Sequence, residues 1–438
     1  MSPAPPGESP APPIVADPKG RISSFLGLVP RFGTGVVVQA LLSGGNLLVG
    51  LILVRRASNA QYGSYVLVLN ALMLATGAQY AYLGAPIVSR LIRFDVEGRA
   101  ILVGGLIREQ RRLLLSIGVT VFVVVLGLRW AGRIDNERTL LMCAGAVAVM
   151  SALFREFFRM VLLAFRLPRV VLQADMIYVT VLVTGSWLAT RTPWPAVLAV
   201  CGLIAAGAGS ACLLTTGLRR HHPWSVPSKS RILLDIAPEG TWTSLGSAIH
   251  WSFSQGYNYL IAGTTDVAAV AATAATRLLM MPLNTLSTGI GQLMFPVVAN
   301  WLRHHRAGTV FKRLVGAASL VSAAGIVYFI AVWVLRDAIF DRVFHKSFAE
   351  RDLLLRLWMG VFLLMTFRDQ LLFLPLARER YRTLTYLALG CAIVSLSSGY
   401  LAIGRMGAAG GVLGLLIGEA LNVTGLLVLS RIEIRRPV

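Results

Sequence analysis

The chain has 438 residues, 56% of them hydrophobic and only 14% charged, with a mean hydropathy of +0.69. A soluble domain carries about a quarter charged residues, so a soluble globular chain is excluded, as is disorder beyond the first twenty or so positions. The net charge of +21 would indicate nucleic acid in a soluble protein. Here the basic residues fall between apolar runs, so they bear on membrane topology and no nucleic-acid partner is expected.

Residues 1–32 form a tail whose opening stretch, to about Gly20, is Pro/Ala/Ser-rich and lacks the basic region and apolar core of a signal peptide. It reads as a cytoplasmic extension, disordered or amphipathic. A spanning helix needs about 20 apolar residues. Twelve segments approach or meet that length: 33–54, 62–84, 113–130, 139–164, 170–190, 195–217, 240–262, 267–289, 314–335, 353–375, 383–403 and 408–430. The fold class expected is therefore an all-α polytopic membrane protein. Placing both termini in the cytoplasm puts 25 of the 41 Lys and Arg on the inner side, which the positive-inside rule favours. The domains expected are an N-lobe at 33–217, a cytoplasmic linker at 218–239, a C-lobe at 240–430 and a cytoplasmic tail at 431–438. A bacterial inner membrane is the expected location.

Charged and polar residues within these segments each need a reason, because insertion scales put a charge at the helix centre at about 2.5–3.5 kcal/mol. In the first segment, Asn46 follows Ser43-Gly44-Gly45, where paired glycines predict a bend. Ser58-Asn59 is a helix N-cap candidate, and Asn70 lies near mid-depth in the second segment. The apolar stretch 99–107 is too short to span and is either an interfacial helix or the buried start of the third segment. Arg155, Glu156 and Arg159 occupy the inner third of segment 4, and Asp175 enters segment 5 at similar depth. Helical spacing lets these charges neutralise one another; otherwise they form a basic inner vestibule for a phosphate head group.

The second half begins with His250 at the depth of Asn46, then Thr265-Asp266 as a second N-cap candidate. Arg277 lies near mid-depth in segment 8, and Pro282 is expected to break that helix and free carbonyls toward a cavity. Arg368-Asp369 presents the same choice between an ion pair and a vestibule. Glu419 either neutralises Arg277 or titrates during transport, and Asn422 follows one turn on. Asn70 and Arg277 are 207 residues apart, as are Ser58 and Thr265. Pro86 to Arg93 is likewise echoed by Pro296 to Arg303, now at an offset of 210. Six helices per half is an even number, so the two copies share orientation about an axis normal to the membrane. That predicts two six-helix lobes facing a central cavity.

Cys143, Cys201, Cys212 and Cys391 lie in apolar segments without paired spacing, and no His/Cys/Asp cluster has metal spacing. A Gly-rich phosphate loop is also absent. Outer loops are short, which leaves nowhere to build an acid–base site. No metal, cofactor or catalytic residue is expected, and the chain is not read as an enzyme.

Asn46 to Arg55 followed by Gln61-Tyr62-Gly63-Ser64-Tyr65 resembles the first hairpin of the polysaccharide/O-antigen flippases (Wzx-like). These belong to the multidrug/oligosaccharidyl-lipid/polysaccharide exporter superfamily. Ala274 to Pro282 running into Gln292 to Pro296 resembles that family's eighth helix and its exit. The resemblance implies a V-shaped, MATE-like pair of lobes alternating between inward-open and outward-open states. It implies an undecaprenyl-diphosphate-type glycolipid as substrate, with polymerase and export proteins as further partners. A cavity arginine in the eighth helix corresponds to Arg277. Lipid II flippases carry a basic residue in the first helix where this chain has Asn46, so a different glycolipid is expected. The substrate-binding set is Arg277, Asn46, Asn70, His250 and Asn422. The alternatives are a multidrug cation antiporter of the same fold, for which acidic cavity residues would be expected, and a polysaccharide polymerase or ligase, which would need a large outer loop.

Overall fold

The computed structural model describes residues 18–226, 231–348 and 350–435, all helix or connecting turn with no strand among them. The first 17 positions of the expected tail lie outside the described residues. The remainder of that tail is helical, because α1 runs Pro18–Arg56. There follow α2 (Asn59–Arg93), α3 (Val96–Trp130), α4 (Asn136–Ala164), α5 (Pro168–Ala189), α6 (Pro195–His221) and α7 (Ile232–Thr264). Next are α8 (Val267–Leu278), α9 (Met281–His304), α10 (Ala307–Ala338, ending in a π-helical turn over Ile339–Phe344), α11 (Arg351–Leu371), the short α12 (Phe373–Ala377), α13 (Tyr381–Met406) and α14 (Ala408–Arg435).

Ten of these, among the described residues, are long and apolar enough to cross a membrane, and α8 with the first part of α9 makes an eleventh, bent by 58°. The twelfth expected segment, 240–262, lies within α7, which is helical but too polar to meet that measure. The break between α8 and α9 falls where Pro282 predicts it. Met280 N–H bonds back to the Arg277 carbonyl at 2.9 Å, and Pro282 sits in the first turn of α9, where a missing N–H costs nothing.

Helix starts follow local chemistry. Ser58, Asp95, Asp135 and Asp266 each accept a bond from the N–H three residues on, at 3.2, 2.9, 2.7 and 2.5 Å. Helix ends overrun the apolar segments into the basic loops. Arg55, Arg56, Arg90, Arg93, Arg219, Arg220 and Arg303 all lie in last turns, where a cation meets the negative end of the helix dipole. Residues 99–107 are the buried start of α3, with Leu102, Val103 and Leu106 in a core beside Leu162 and Leu214. Residues 431–435 of the expected C-terminal tail continue α14, and buried Glu433 pairs with Arg378 at 3.3 Å and Arg380 at 2.9 Å.

The expected bend at Gly44-Gly45 is not a break: α1 passes through it without interruption. Gly45 serves close approach, since a Cβ there would lie 2.8 Å from Val179 Cγ1 of α5.

The packing order recurs along the chain. In the first half α1 packs on α5, α5 on α6, α4 on α6 and α3 on α4; in the second, α7 packs on α13, α13 on α14, α11 on α14 and α10 on α11. The tightest pair in each set meets through glycine. A Cβ on Gly185 would lie 3.2 Å from Gly202 Cα, and one on Gly414 would lie 2.5 Å from Gly399 Cα, as expected where small residues let membrane helices approach closely. Between the sets, α2 runs along α7 and α8. Side chains bridge that seam to main-chain carbonyls: Tyr82 Oη to Leu233 O at 2.7 Å, Thr243 Oγ1 to Ala81 O at 2.7 Å, Ser244 Oγ to Ala78 O at 3.0 Å, Trp251 Nε1 to Asn70 O at 3.1 Å and Tyr259 Oη to Leu67 O at 2.8 Å.

Candidate functional site: a polar cavity where the two helix sets meet

Arg277 is held at the last turn of α8, just before the chain bends. Its Nη1 donates to Gln255 Oε1 at 2.6 Å and to Tyr257 Oη at 3.4 Å. Its guanidinium lies 5.6 Å from the Trp358 ring centre, within cation–π range. No carboxylate lies within 4.0 Å of it among the described residues, whereas the buried Arg155 and Arg368 each have two. The expected Arg277–Glu419 pair does not form. Glu419 accepts from Arg368 Nη1 at 2.6 Å instead, because α14 packs on α11.

Arg277 borders a cavity of about 280 Å³ with Asn46 of α1, Tyr62, Tyr65 and Asn70 of α2, and Gln255 and Asn258 of α7. Asn70 is 4% exposed and Asn258 1% exposed, and Asn70 Nδ2 and Asn258 Oδ1 find no partner among the described residues. An unmet buried polar atom costs about 1–3 kcal/mol. A donor and an acceptor left open beside an arginine without an acidic partner make a cavity suited to a polar, anionic guest. Gln255, Tyr257 and Asn258 were not among the expected binding residues. Gln255 and Asn258 stand three apart and so share a face of α7, and the polarity of the stretch from His250 to Asn258 is the signal in the sequence.

His250 and Asn422 are not in this cavity. They line a second one of about 480 Å³, with Trp242, Thr385, Arg368 and Asp369. His250 matches Asn46 in depth, but five residues of helix turn it to a different face of α7 from Gln255. Beside this second cavity Arg368 bonds Asp369 Oδ1 through Nε (3.1 Å) and Nη2 (2.8 Å), and Ser287 Oγ donates to Asp369 Oδ2 at 2.8 Å. Glu419 is 1% exposed, and its Oε2 has no partner among the described residues.

Arg155, Glu156, Arg159 and Asp175 form a closed network across α4 and α5. Arg155 pairs with both Glu156 and Asp175, and its Nε donates to Ser210 Oγ of α6 at 3.1 Å. Its guanidinium also stacks 3.9 Å from the Tyr178 ring centre. Arg159 pairs with Asp175 at 3.1 Å and Glu156 at 3.4 Å. Two cations and two anions cancel, and with Arg155 5% and Asp175 0% exposed the centre of this cluster presents no free charge.

No family model matches this chain, and no curated protein matches it significantly. Solved structures do. A multidrug resistance MATE family transporter of the MOP superfamily, in its inward-facing conformation, superposes with a TM-score of 0.71 at 15% identity, covering 90% of this chain and 94% of that one. The outward-facing conformation of such a transporter gives 0.60 at 15% identity, covering 92% and 94%. The lipid II flippase MurJ, in an inward closed conformation, gives 0.73 at 10% identity, covering 90% and 87%. The chain has the all-helical fold of these transporters.

Proposed function

We propose that this chain translocates a polyprenyl-diphosphate-linked oligosaccharide across the bacterial inner membrane by alternating access between two six-helix lobes. The observation that carries this reading is Arg277, held by Gln255 and Tyr257 without an acidic partner at the edge of a cavity with open hydrogen-bonding capacity on Asn70 and Asn258. A diphosphate is anionic and its glycan is polar, so the guanidinium suits the first and the asparagines the second. The lipid tail stays in the bilayer. A cavity of about 280 Å³ is at the small end for ligand sites, so an oligosaccharide needs the cavity to widen during the cycle. The second state of an alternating transporter supplies that widening. Similarity to a lipid II flippase and to MOP-superfamily transporters supports the reading at the level of fold.

The Arg277→Gln variant at unchanged membrane abundance should lose surface polysaccharide and accumulate lipid-linked repeat units on the cytoplasmic leaflet. Normal export by that variant would end the proposal. A second reading, export of organic cations, is favoured by the second cavity, which Arg368 and Asp369 line and beside which Glu419 shares the same arginine. Drug-sensitivity profiles of a deletion strain separate the two. Sensitivity to cationic drugs with intact polysaccharide supports cation export.

A further inference from the structure

A third cavity, of about 920 Å³, opens on the outside of the helix bundle where α2, α3 and α7 meet, away from Arg277. Its wall is apolar, formed by Ala75 and Ala78 of α2, Leu113 and Ile117 of α3, and Leu234 of α7. Leu113, Ile117 and Leu234 are 50%, 49% and 69% exposed, so the groove faces whatever surrounds the bundle. Its polar end is basic, with Arg112 of α3 and Arg231 at the start of α7. Glu109 places these two at one level. It lies one turn before Arg112 and accepts bonds from the N–H groups of Ile232 (2.9 Å) and Leu233 (2.8 Å), next to Arg231. Its carboxylate is thus occupied by the exposed N–H groups of α7.

Gln110 supplies an independent sign of a ligand. It lines the groove at 5% exposure, and its Nε2 is anchored on Leu153 O at 3.2 Å while its Oε1 has no partner among the described residues. Gln79 Nε2 donates to the same carbonyl at 2.9 Å; the Gln110 bond to that carbonyl turns its amide oxygen away from Leu153 and leaves it open to an incoming donor. An apolar trough, a polar end where two cations outnumber one carboxylate already held by backbone N–H groups, and an unmet acceptor in the wall describe a lipid with a phosphate and a head-group hydroxyl.

We propose that this groove binds an anionic diacyl phospholipid of the phosphatidylglycerol type. Its phosphate lies between Arg112 and Arg231, a glycerol hydroxyl donates to Gln110 Oε1, and its chains follow Leu113 and Ile117. The topology proposed above puts this end of α3 and α7 at the cytoplasmic leaflet, where polybasic attraction to anionic lipid is strongest. Arg112 belongs to the first helix set and Arg231 to the second, so the bound lipid bridges the seam.

Native mass spectrometry of the purified full-length chain, titrated with phosphatidylglycerol or with phosphatidylcholine of the same chain length, tests the site. The wild type should retain phosphatidylglycerol preferentially. At about 1 kcal/mol per arginine near an anionic head group, Arg112→Gln and Arg231→Gln should each weaken retention about fivefold, and together about thirtyfold. Ile117→Trp, which fills the trough, should also lower it, and Gln110→Leu should remove any preference over phosphatidic acid. Arg277→Gln should bind phosphatidylglycerol as the wild type does, which separates failure here from failure of the central-cavity reading. Equal retention of the two phospholipids, or no effect of the double substitution, overturns the proposal. So does displacement by inorganic phosphate alone, which would reveal an anion site without a lipid, or displacement by lower concentrations of a polyprenyl phosphate, which would make the carrier lipid the occupant.

Discussion

The dipeptides Arg155-Glu156 on α4 and Arg368-Asp369 on α11 lie 213 residues apart on helices that pack equivalently in the two halves, yet their surroundings differ. In the first half Asp175 and Arg159 complete a neutral cluster with Ser210 and Tyr178 closing it. In the second half one arginine serves two carboxylates, Asp369 and Glu419, and a cavity of about 480 Å³ opens beside them. A repeated pair of residues has become a strut in one place and the wall of a chamber in the other. The partners on neighbouring helices decide which. The asymmetry places chemically open charge in α11 and α14, and structural charge in α4 and α5.

This contrast can be broken at graded cost. Removing Arg155 leaves Asp175, which is 0% exposed, to share Arg159 with Glu156 and takes away the bond to Ser210; loss of one partner from a buried charged network costs up to about 3–5 kcal/mol. The Arg155→Ala variant should therefore fall sharply in membrane abundance and thermal stability, and a variant of wild-type stability would show that the cluster is no strut. Glu419→Gln should be milder, at about 1–3 kcal/mol, because Arg368 keeps Asp369. Its larger signature should be in transport, measured as lipid-linked intermediates at matched abundance. If it instead destabilises as much as Arg155→Ala, the two halves are alike after all. Smallest is the link between the segment that follows the π-helical turn and the α1–α2 turn. Lys346 Nζ donates to the Ala57 carbonyl and to Asn59 Oδ1 at 2.9 Å. Lys346→Ala should lower stability by about 1 kcal/mol while raising the reactivity of a cysteine placed at Asn46 toward a membrane-impermeant reagent applied from the outer side. Unchanged reactivity would mean that this contact does not hold the turn shut.

Much of the fold follows from one-dimensional signals. Segment length and hydropathy locate the helices, Ser58 and Asp266 mark two starts, and Pro282 marks the break that leaves Arg277 at a helix end. Depth was also legible: Asn46, Asn70 and Arg277 share a level, and the structure brings them to one cavity. Azimuth was not. Glu419 sits at a depth that suits Arg277 but faces α11, and His250 faces the second cavity with Asn422, because which side of a helix meets which neighbour is set by packing across the bundle. Helix ends were misplaced for a related reason. A hydropathy window stops at the first arginines, whereas the backbone continues wherever its hydrogen bonds are met and the last-turn cations are favoured.

The bonds along the α2–α7 seam have an unequal consequence for sequence change. Four of the five named run from α7 side chains, Thr243, Ser244, Trp251 and Tyr259, to main-chain oxygens of α2. A carbonyl is present whatever residue bears it, so no substitution at Leu67, Ala78 or Ala81 removes an acceptor, while any apolar substitution at the four donors removes a bond. Tolerance to mutation should therefore be lopsided across this contact: permissive on α2 at the acceptor positions, and demanding of hydroxyl or indole donors on α7.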